Sequence, residues 1–302
     1  MKVYLGTWQV SPSDGFWTDQ DLSSSETVLS SAIRLGINCF DTAQSYGKGR
    51  TEQILGKILR RFPDKRFVVD TKIMPSSKSV SDVLKPSLMS LSGISIDCLY
   101  LHWPSKSFDN VDLLKQISSL KEAGICRKVG VCNLPLEMLQ EYVSSGVEID
   151  RIQRPVSLLW TRELKQTIEF CKSHGIEVAA YSPTGMGLLS GKYHSASDLH
   201  DARSTLFCFD KACIGVYQDL LSVIRNVSVS HHCSCTAVAL AWVKSISPDI
   251  LILGARNTAQ LQENLNSDVV LSETEISELS QAASLLDNAS MGVCENIFSY
   301  NW

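Results

Sequence analysis

Four polar side chains that could move or orient a proton follow apolar runs of the sequence. They are Asp41, Tyr46, Lys72 and His102. A phenol has a pKa of about 10 and exchanges protons poorly at neutral pH. A neighbouring ammonium group would lower that pKa, and a carboxylate would keep the ammonium group charged and oriented. With an imidazole to hydrogen-bond a carbonyl oxygen, the set predicts proton donation to a developing oxyanion.

The chemistry that these side chains suggest lacks only an electron pair. It requires neither a metal nor a covalent intermediate, so the missing component indicates a cofactor that carries hydride. Each residue by itself also has an ordinary structural explanation. An Asp at a strand end often caps the next turn, and a Lys there usually reaches solvent. The prediction therefore depends on all four side chains meeting on one face.

The pattern of secondary structure predicts such a meeting. Apolar or β-branched runs alternate with segments of helical period, several of which stop at a glycine. The eight candidate strands are residues 3–8, 38–43, 67–73, 96–103, 128–133, 151–157, 177–182 and 250–254. The candidate helices between them are residues 24–35, 51–59, 80–91, 111–123, 136–143 and 163–173. Alternation predicts a parallel sheet covered by helices. Eight units favour a closed (β/α)8 TIM barrel, and an open doubly wound sheet is the alternative.

One connection breaks the alternation. Residues 184–234 form a long βα insertion, which we expect to lie over the C-terminal face of the barrel with residues 211–229 helical. The tail beyond Leu286 carries Phe298, Tyr300 and Trp302, which either fold back onto the barrel or stay exposed. No part of the composition marks a linker, so residues 1–302 are interpreted as a single domain.

Composition limits the classes of partner. The chain has a net charge of -4 and a pI of about 5.9, which gives no support to a nucleic-acid or membrane-surface role. The N-terminus lacks the apolar stretch of a signal peptide, and no run approaches the roughly 18 apolar residues of a spanning helix. We therefore expect a cytoplasmic protein with reduced cysteines. The sequence HHCSC at residues 231–235 matches no standard zinc pattern and instead predicts the start of a helix.

The motifs around the four side chains resemble those of the aldo-keto reductases. The matching stretches follow the family's order over almost the whole chain. They are GINCFDTAQSYG (36–47), TE (51–52), TK (71–72), LHWP (101–104), KVGVCN (128–133), YSP (181–183), GARN (254–257) and EN (263–264). The resemblance implies NADPH-dependent reduction of an aldehyde or ketone to an alcohol, with NADH the less expected cofactor.

The resemblance also implies roles for individual residues. Tyr46 would be the general acid, Lys72 would lower its pKa, Asp41 would pair with Lys72, and His102 would orient the carbonyl group. Further contacts would be made with the cofactor. Asn133 and Gln153 would hydrogen-bond the nicotinamide carboxamide, Tyr181 would stack on the ring, and the loop 185–191 would follow the pyrophosphate. The other expected contacts are Thr7, Trp8, Ser182, Pro183, Gly187, Leu189, Gly254 and Glu263.

The adenosine end of the cofactor is expected near the last strand. A guanidinium binds phosphate through forked, charge-assisted hydrogen bonds, so Arg256 is the expected partner of a 2′-phosphate. The N-terminus of the following helix would add its own positive end. Gln260 and Asn264 would face the adenine side. The residues expected around the substrate are Trp8, Trp17 and Trp103.

Two positions depart from the family's pattern. Cys132 stands where the family usually has Ser, and a thiol is the weaker hydrogen-bond partner, so nicotinamide binding could be altered. Arg154 follows Gln153 where the family often has an acidic residue, which predicts a basic group close to the cofactor or substrate.

Two alternatives to a carbonyl reductase stay open. One is an NADPH-binding regulatory or interaction protein with little turnover, as the potassium-channel β-subunits of this family illustrate. The other is an unrelated barrel, such as an enzyme acting on sugar phosphates. The presence of all four candidate catalytic side chains favours the enzyme, because a pure binding module has less need of them.

Overall fold

Eight parallel strands form a closed barrel in the computed structural model, which describes residues 1–11 and 16–291. The strands are β1 (Lys2–Gly6), β2 (Cys39–Asp41), β3 (Val68–Ile73), β4 (Ile96–Leu101), β5 (Cys126–Cys132), β6 (Arg151–Pro155), β7 (Glu177–Tyr181) and β8 (Ile250–Leu253). Leu5 of β1 is in register with Phe40 of β2 on one side and Leu253 of β8 on the other. This closure confirms the predicted (β/α)8 barrel and excludes the open sheet.

Helices cover the outside of the barrel. They are α1 (Leu22–Arg34), α2 (Arg50–Leu59), α3 (Val80–Ser90), α4 (Asn110–Glu122), α5 (Leu136–Ser144), α6 (Leu164–Ser173), α7 (Ile214–Ser230), α8 (Cys235–Ser245), α9 (Thr258–Leu265) and α10 (Glu273–Ala289). Glycines in left-handed backbone follow four of them, which confirms the helix ends that the sequence predicts. They are Gly36, Gly124, Gly146 and Gly175.

Several strands end earlier than the apolar runs predict. β1 ends at Gly6 rather than at residue 8, β4 at Leu101 rather than 103, and β6 at Pro155 rather than 157. At these points the chain leaves the hydrogen-bonded ladder to begin a βα connection. The polar and aromatic residues just beyond are thereby free to turn across the mouth of the barrel.

The connection between β7 and α8 contains several short 3-10 turns and α7, which begins three residues later than the predicted helix 211–229. The helix start predicted at residues 231–235 is found only at the last of these residues. His231 follows the last turn of α7, and its Nε2 lies 2.8 Å from Glu275 Oε1. α8 begins only at Cys235, where the Ser234 hydroxyl accepts a hydrogen bond from the Ala237 amide at 3.1 Å.

Hydrophobic side chains fill the space between barrel and helices, whereas the barrel interior contains a buried ionic network. Arg151 Nη1 donates to Asp70 Oδ2 at 2.8 Å, and the Tyr100 hydroxyl donates to the same oxygen at 3.1 Å. The other guanidinium nitrogens reach Asp97 at 3.1 Å and Glu177 at 2.7 Å. Each nitrogen of the Arg151 guanidinium group therefore has a carboxylate partner, and such pairing is what burial of a charge requires.

In the part of the chain that the structure describes, every helix is too short or too polar to cross a membrane. The predicted aromatic tail with Phe298, Tyr300 and Trp302 lies outside the described residues.

Candidate active site

A cavity of about 380 Å³ opens at the carboxyl ends of the strands, and the connections after β7 and β8 form much of its wall. Three of the four predicted catalytic side chains, Asp41, Tyr46 and His102, line this cavity. Lys72 lies directly behind them and is only 1% exposed. The barrel thus brings together side chains at or just past the carboxyl ends of β2, β3 and β4, because those strands end at one face.

Lys72 is a buried ammonium group with a full set of acceptors. Its Nζ donates to Asp41 Oδ1 at 2.6 Å and to the Thr42 carbonyl at 2.8 Å. The second oxygen of Asp41 accepts a hydrogen bond from Gln153 Nε2 at 2.7 Å. Burial lowers the pKa of Lys72, but the interactions that raise it, first among them the negative charge of Asp41, outweigh burial and hold that pKa above its usual value. Lys72 therefore stays charged at neutral pH.

Tyr46 receives the third hydrogen bond of this ammonium group. Lys72 Nζ donates to the Tyr46 hydroxyl oxygen at 3.4 Å, and the Tyr46 ring packs edge-on to His102 with the centroids 5.7 Å apart. Burial raises the pKa of Tyr46 to about 12, although the Lys72 charge acts to lower it. Lys72 thus acts on this pKa in the predicted direction, but burial has the larger effect. The phenol keeps its proton over the whole neutral range.

His102 is held as a neutral imidazole. Its Nδ1 lies 3.2 Å from the Ser45 hydroxyl, and its carbonyl accepts a hydrogen bond from Asn133 Nδ2 at 3.1 Å. Burial, assisted by the Lys72 charge, holds the pKa of His102 well below its usual value. A neutral imidazole donates from only one of its two nitrogens, so the partner of Nδ1 decides which one faces the cavity as a donor.

Asn133 sits just past β5 in left-handed backbone, with a φ of 62°. This conformation, which Asn tolerates better than most residues, turns its amide across the barrel mouth. Its Oδ1 accepts a 2.6 Å hydrogen bond from the Tyr181 hydroxyl. Asn133 therefore links the ends of β4, β5 and β7.

Arg256 lies on the cavity wall, and other side chains already contact its guanidinium group. Its Nη2 donates a hydrogen bond to Asp19, and its Nε donates to Gln20 Oε1 at 3.3 Å. The Trp17 ring covers the guanidinium, with the centroid 5.7 Å from Cζ. Gln260 accepts a 2.9 Å hydrogen bond from the Arg256 amide. The loop after β8 is thus tied to the segment that precedes α1.

Most of the predicted contact residues lie on the cavity wall. Besides the catalytic candidates, they are Trp8, Trp17, Trp103, Asn133, Gln153, Tyr181, Ser182, Pro183, Gly187, Gly254, Arg256, Gln260, Glu263 and Asn264. Thr7 and Leu189 do not line the cavity, since both side chains are fully buried. The Thr7 hydroxyl donates to the Asp41 carbonyl at 2.9 Å, and Leu189 packs in the hydrophobic core.

Neither of the two departures from the family's pattern lines the cavity. Cys132 packs against Tyr100 inside the barrel, and burial raises the pKa of its thiol well above the usual value. Successive residues of a strand face opposite sides, so Arg154 faces the helices while Gln153 faces inward. Arg154 donates to the Thr167 hydroxyl of α6. The expectation of a basic group beside the cofactor at this position is therefore wrong.

Several wall or rim residues were not among the sequence predictions. Ser45 immediately precedes Tyr46, so its closeness to the centre could have been anticipated from the motif. Lys192 and Arg203 line the cavity from the connection after β7, where no spacing pattern distinguishes them from surface charges. Asp19 contacts Arg256 across 237 residues of sequence, and no local signal predicts that contact.

The donor set of the cavity fits a nicotinamide dinucleotide. The amide side chains of Asn133 and Gln153 line the cavity together with Asp41 and Tyr46 and can pair with a carboxamide. Lys192, Arg203 and Arg256 supply cationic groups elsewhere on the wall, where phosphate groups can be held. The neutral amides match the carboxamide of such a cofactor, and the cationic groups match its phosphates.

Residues 2–284 match the model of the aldo/keto reductase family. The chain is 28% identical to the NADH-specific methylglyoxal reductase of Escherichia coli K12, over 95% of each chain. It is 29% identical to the chloroplastic pyridoxal reductase of Arabidopsis thaliana, over 88% of this chain and 81% of that protein. The glycerol dehydrogenase of Gluconobacter oxydans has a similar structure, with a TM-score of 0.79 and 25% identity over 94% of this chain and 91% of that chain. The chain therefore belongs to the aldo/keto reductase family of NAD(P)H-dependent oxidoreductases.

Proposed function

We propose that this protein reduces an aldehyde or ketone to an alcohol with NADPH, and that Tyr46 donates the proton. The observation that carries the proposal is the hydrogen bond from the Lys72 ammonium group to the Tyr46 hydroxyl oxygen at the cavity. An ammonium group has no acceptor, so the phenol hydrogen must point away from Lys72. A carbonyl oxygen in the cavity is a suitable acceptor for it.

The residues of the centre would then act together. The reduced nicotinamide would supply a hydride to the carbonyl carbon. As negative charge develops on the carbonyl oxygen, Tyr46 gives up its proton, and Lys72 stabilises the phenolate that remains. Asp41 holds the ammonium group in place through the 2.6 Å ion pair, so the charge that stabilises the phenolate is already positioned.

His102 would hold the carbonyl oxygen of the substrate. To donate a hydrogen bond from Nε2, its neutral ring needs an acceptor role at Nδ1. The Ser45 hydroxyl, 3.2 Å from Nδ1, can donate there. Ser45 would therefore select the tautomer that directs an N–H group toward the substrate.

The cofactor would lie along the cavity wall. Asn133 and Gln153 would bind the carboxamide, Tyr181 would stack on the nicotinamide ring, and Arg256 would bind the 2′-phosphate that distinguishes NADPH. The relative from Escherichia coli carries NADH specificity in its name, so NADH belongs in every assay beside NADPH.

The substrate would be a small carbonyl compound. The indole rings of Trp8 and Trp17 meet at 87° with centroids 5.5 Å apart, and Trp103 lines the same cavity. These rings offer apolar and stacking surface to a compact or aromatic aldehyde. Methylglyoxal and pyridoxal, which occur in the names of the two relatives, are the first compounds to test.

The test is a turnover assay on the purified protein. Oxidation of NADPH and of NADH is followed by the absorbance of the reduced nicotinamide, with methylglyoxal, pyridoxal and a panel of aldehydes and diketones. We expect carbonyl-dependent oxidation that is faster with NADPH. Tight NADPH binding without turnover on any carbonyl would instead support a regulatory or interaction protein. Failure to bind either cofactor would contradict the proposal entirely.

A further inference from the structure

The side chain proposed to bind the 2′-phosphate already has an acidic partner within the chain. Arg256 donates a hydrogen bond to Asp19, and the two side chains form an ion pair. The Arg256 side chain is 25% exposed and lines the cavity, whereas the Asp19 side chain is 73% exposed. A carboxylate from the solvent side therefore occupies one edge of the guanidinium that a phosphate would use.

Asp19 is held near Arg256 by more than the ion pair. The neighbouring Gln20 donates from Nε2 to the Arg256 carbonyl at 3.3 Å and to the Ser25 hydroxyl at 3.1 Å. The backbone N–H of Gln20 also donates to the Trp17 carbonyl oxygen at 3.0 Å, and the Trp17 ring covers the Arg256 guanidinium. The segment 17–20 is thus fastened to α1 and to the loop after β8, so the carboxylate is positioned before any ligand arrives.

We infer that Asp19 sets the cofactor preference by competing with the 2′-phosphate of NADPH for Arg256. This inference rests on the proposed function, because it requires Arg256 to be the phosphate-binding residue. It assigns Asp19 as a specificity-determining residue that lowers the advantage of NADPH over NADH.

The competition follows from the chemistry of the two cofactors. A phosphate monoester carries a charge of about -1.5 to -2 at neutral pH, so it repels a carboxylate on the same guanidinium. Asp19 must move away before NADPH can use Arg256 fully. NADH has a neutral hydroxyl at this position, and a carboxylate is a common partner of that hydroxyl in dinucleotide sites. The same side chain therefore opposes one cofactor and accepts the other.

The experiment measures the affinity of NADPH and NADH by isothermal titration calorimetry. The proteins are the wild type, Asp19→Asn, Arg256→Ala and the double variant. Asp64→Asn is the matched control, since Asp64 is exposed in the loop before β3, at the opposite end of the barrel, and its change alters the net charge equally. Removing the competing charge should raise the affinity for NADPH relative to NADH about threefold to tenfold. Asp64→Asn should leave that ratio unchanged.

The outcomes separate this inference from the proposed function. An equal ratio in Asp19→Asn and Asp64→Asn would overturn the inference. If Arg256→Ala weakens NADPH selectively while Asp19→Asn has no effect, only the role of Asp19 fails. If Arg256→Ala leaves the ratio of the wild type unchanged, the proposed phosphate site itself fails. Asp19→Asn should change nothing in the Arg256→Ala background, and an effect that persists there would also overturn competition at Arg256.

Discussion

At the residue scale, the surroundings of Tyr46 decide the protonation state from which the proposed reduction would start. Burial keeps the phenol protonated, and Lys72 stabilises the phenolate only once the proton has left. A phenol with these properties is a weak acid at neutral pH, and it gives up its proton only as negative charge develops on an acceptor. The resting site therefore already holds the proton that the proposed reduction would consume.

Replacing Tyr46 by Phe removes the proposed proton donor and keeps the ring. We expect kcat to fall by about a hundredfold to ten-thousandfold, because the hydroxyl acts only in the chemical step. The Kd of NADPH should stay within about twofold, since the ring still packs near His102. Steady-state kinetics and calorimetry measure the two quantities. Tyr142→Phe, a buried change on α5, is the control, and near-normal turnover of Tyr46→Phe would refute the assigned role.

The pH dependence follows from the same two side chains. The proposed reduction needs the protonated phenol of Tyr46, which is present below its pKa and lost only as the pH rises through about 12. His102 is already neutral near pH 7, because its pKa lies well below the usual value. We therefore expect kcat/KM for reduction to stay level from about pH 6.5 to about pH 9. The reverse reaction needs the phenolate and should rise over that interval. A reduction profile that falls with a midpoint near pH 8 would contradict this assignment.

At the element scale, the close packing of α2 against α3 supports the strands that carry Asp41 and Lys72. Gly56 on α2 allows this approach, because a Cβ atom there would lie 2.0 Å from the backbone carbonyl oxygen of Ser90. A backbone atom cannot swing aside as a flexible side chain can. Any larger residue at this position must push the two helices apart.

Gly56→Ala should therefore destabilise the fold by about 1–3 kcal/mol, in spite of the better helix propensity of Ala. Gly215→Ala in α7 is the matched control, since a Cβ there meets nothing within 4 Å. That change should be neutral or stabilise the protein by up to about 1 kcal/mol. Urea denaturation measures both variants. Equal free energies of unfolding for the two would show that α2 and α3 can separate without loss.

At the scale of the whole molecule, the barrel interior is held by charge as well as by packing. Arg151 is fully buried and joins β6 to Asp70 on β3, to Asp97 on β4 and to Glu177 on β7. These ion pairs tie together strands on different sides of the barrel. Breaking one of these ion pairs should destabilise the fold, because an unpaired buried charge raises the free energy of the folded state.

Arg151→Met should destabilise the protein by about 3–5 kcal/mol, because it leaves the Asp70 carboxylate buried without its cation. The matched control is Arg127→Met. Arg127 also pairs with Asp97, but its side chain is 58% exposed, so its loss should change stability by about 1 kcal/mol or less. Chemical denaturation gives both values. A loss for Arg151→Met no larger than that of the control would mean that Asp70 is compensated in another way.

The sequence by itself determined the barrel and the catalytic candidates. Both depend on local pattern, since each apolar run followed by a helical period specifies one βα unit. Asp41, Tyr46, Lys72 and His102 could be found because each lies at or just past the end of an apolar run, and parallel strands of a barrel end at one face. The family's motifs then supplied the order in which such residues occur.

Only the tertiary structure decided how these groups are tuned and what surrounds them. The pKa of Tyr46 depends on burial by residues from many elements, which a local pattern cannot report. The same holds for contacts between remote positions. Arg151 meets Asp70 across 81 residues, and Asp19 meets Arg256 across 237. Contacts of this kind exist only because the first and last strands pair and close the barrel, so they follow from its geometry and not from local sequence.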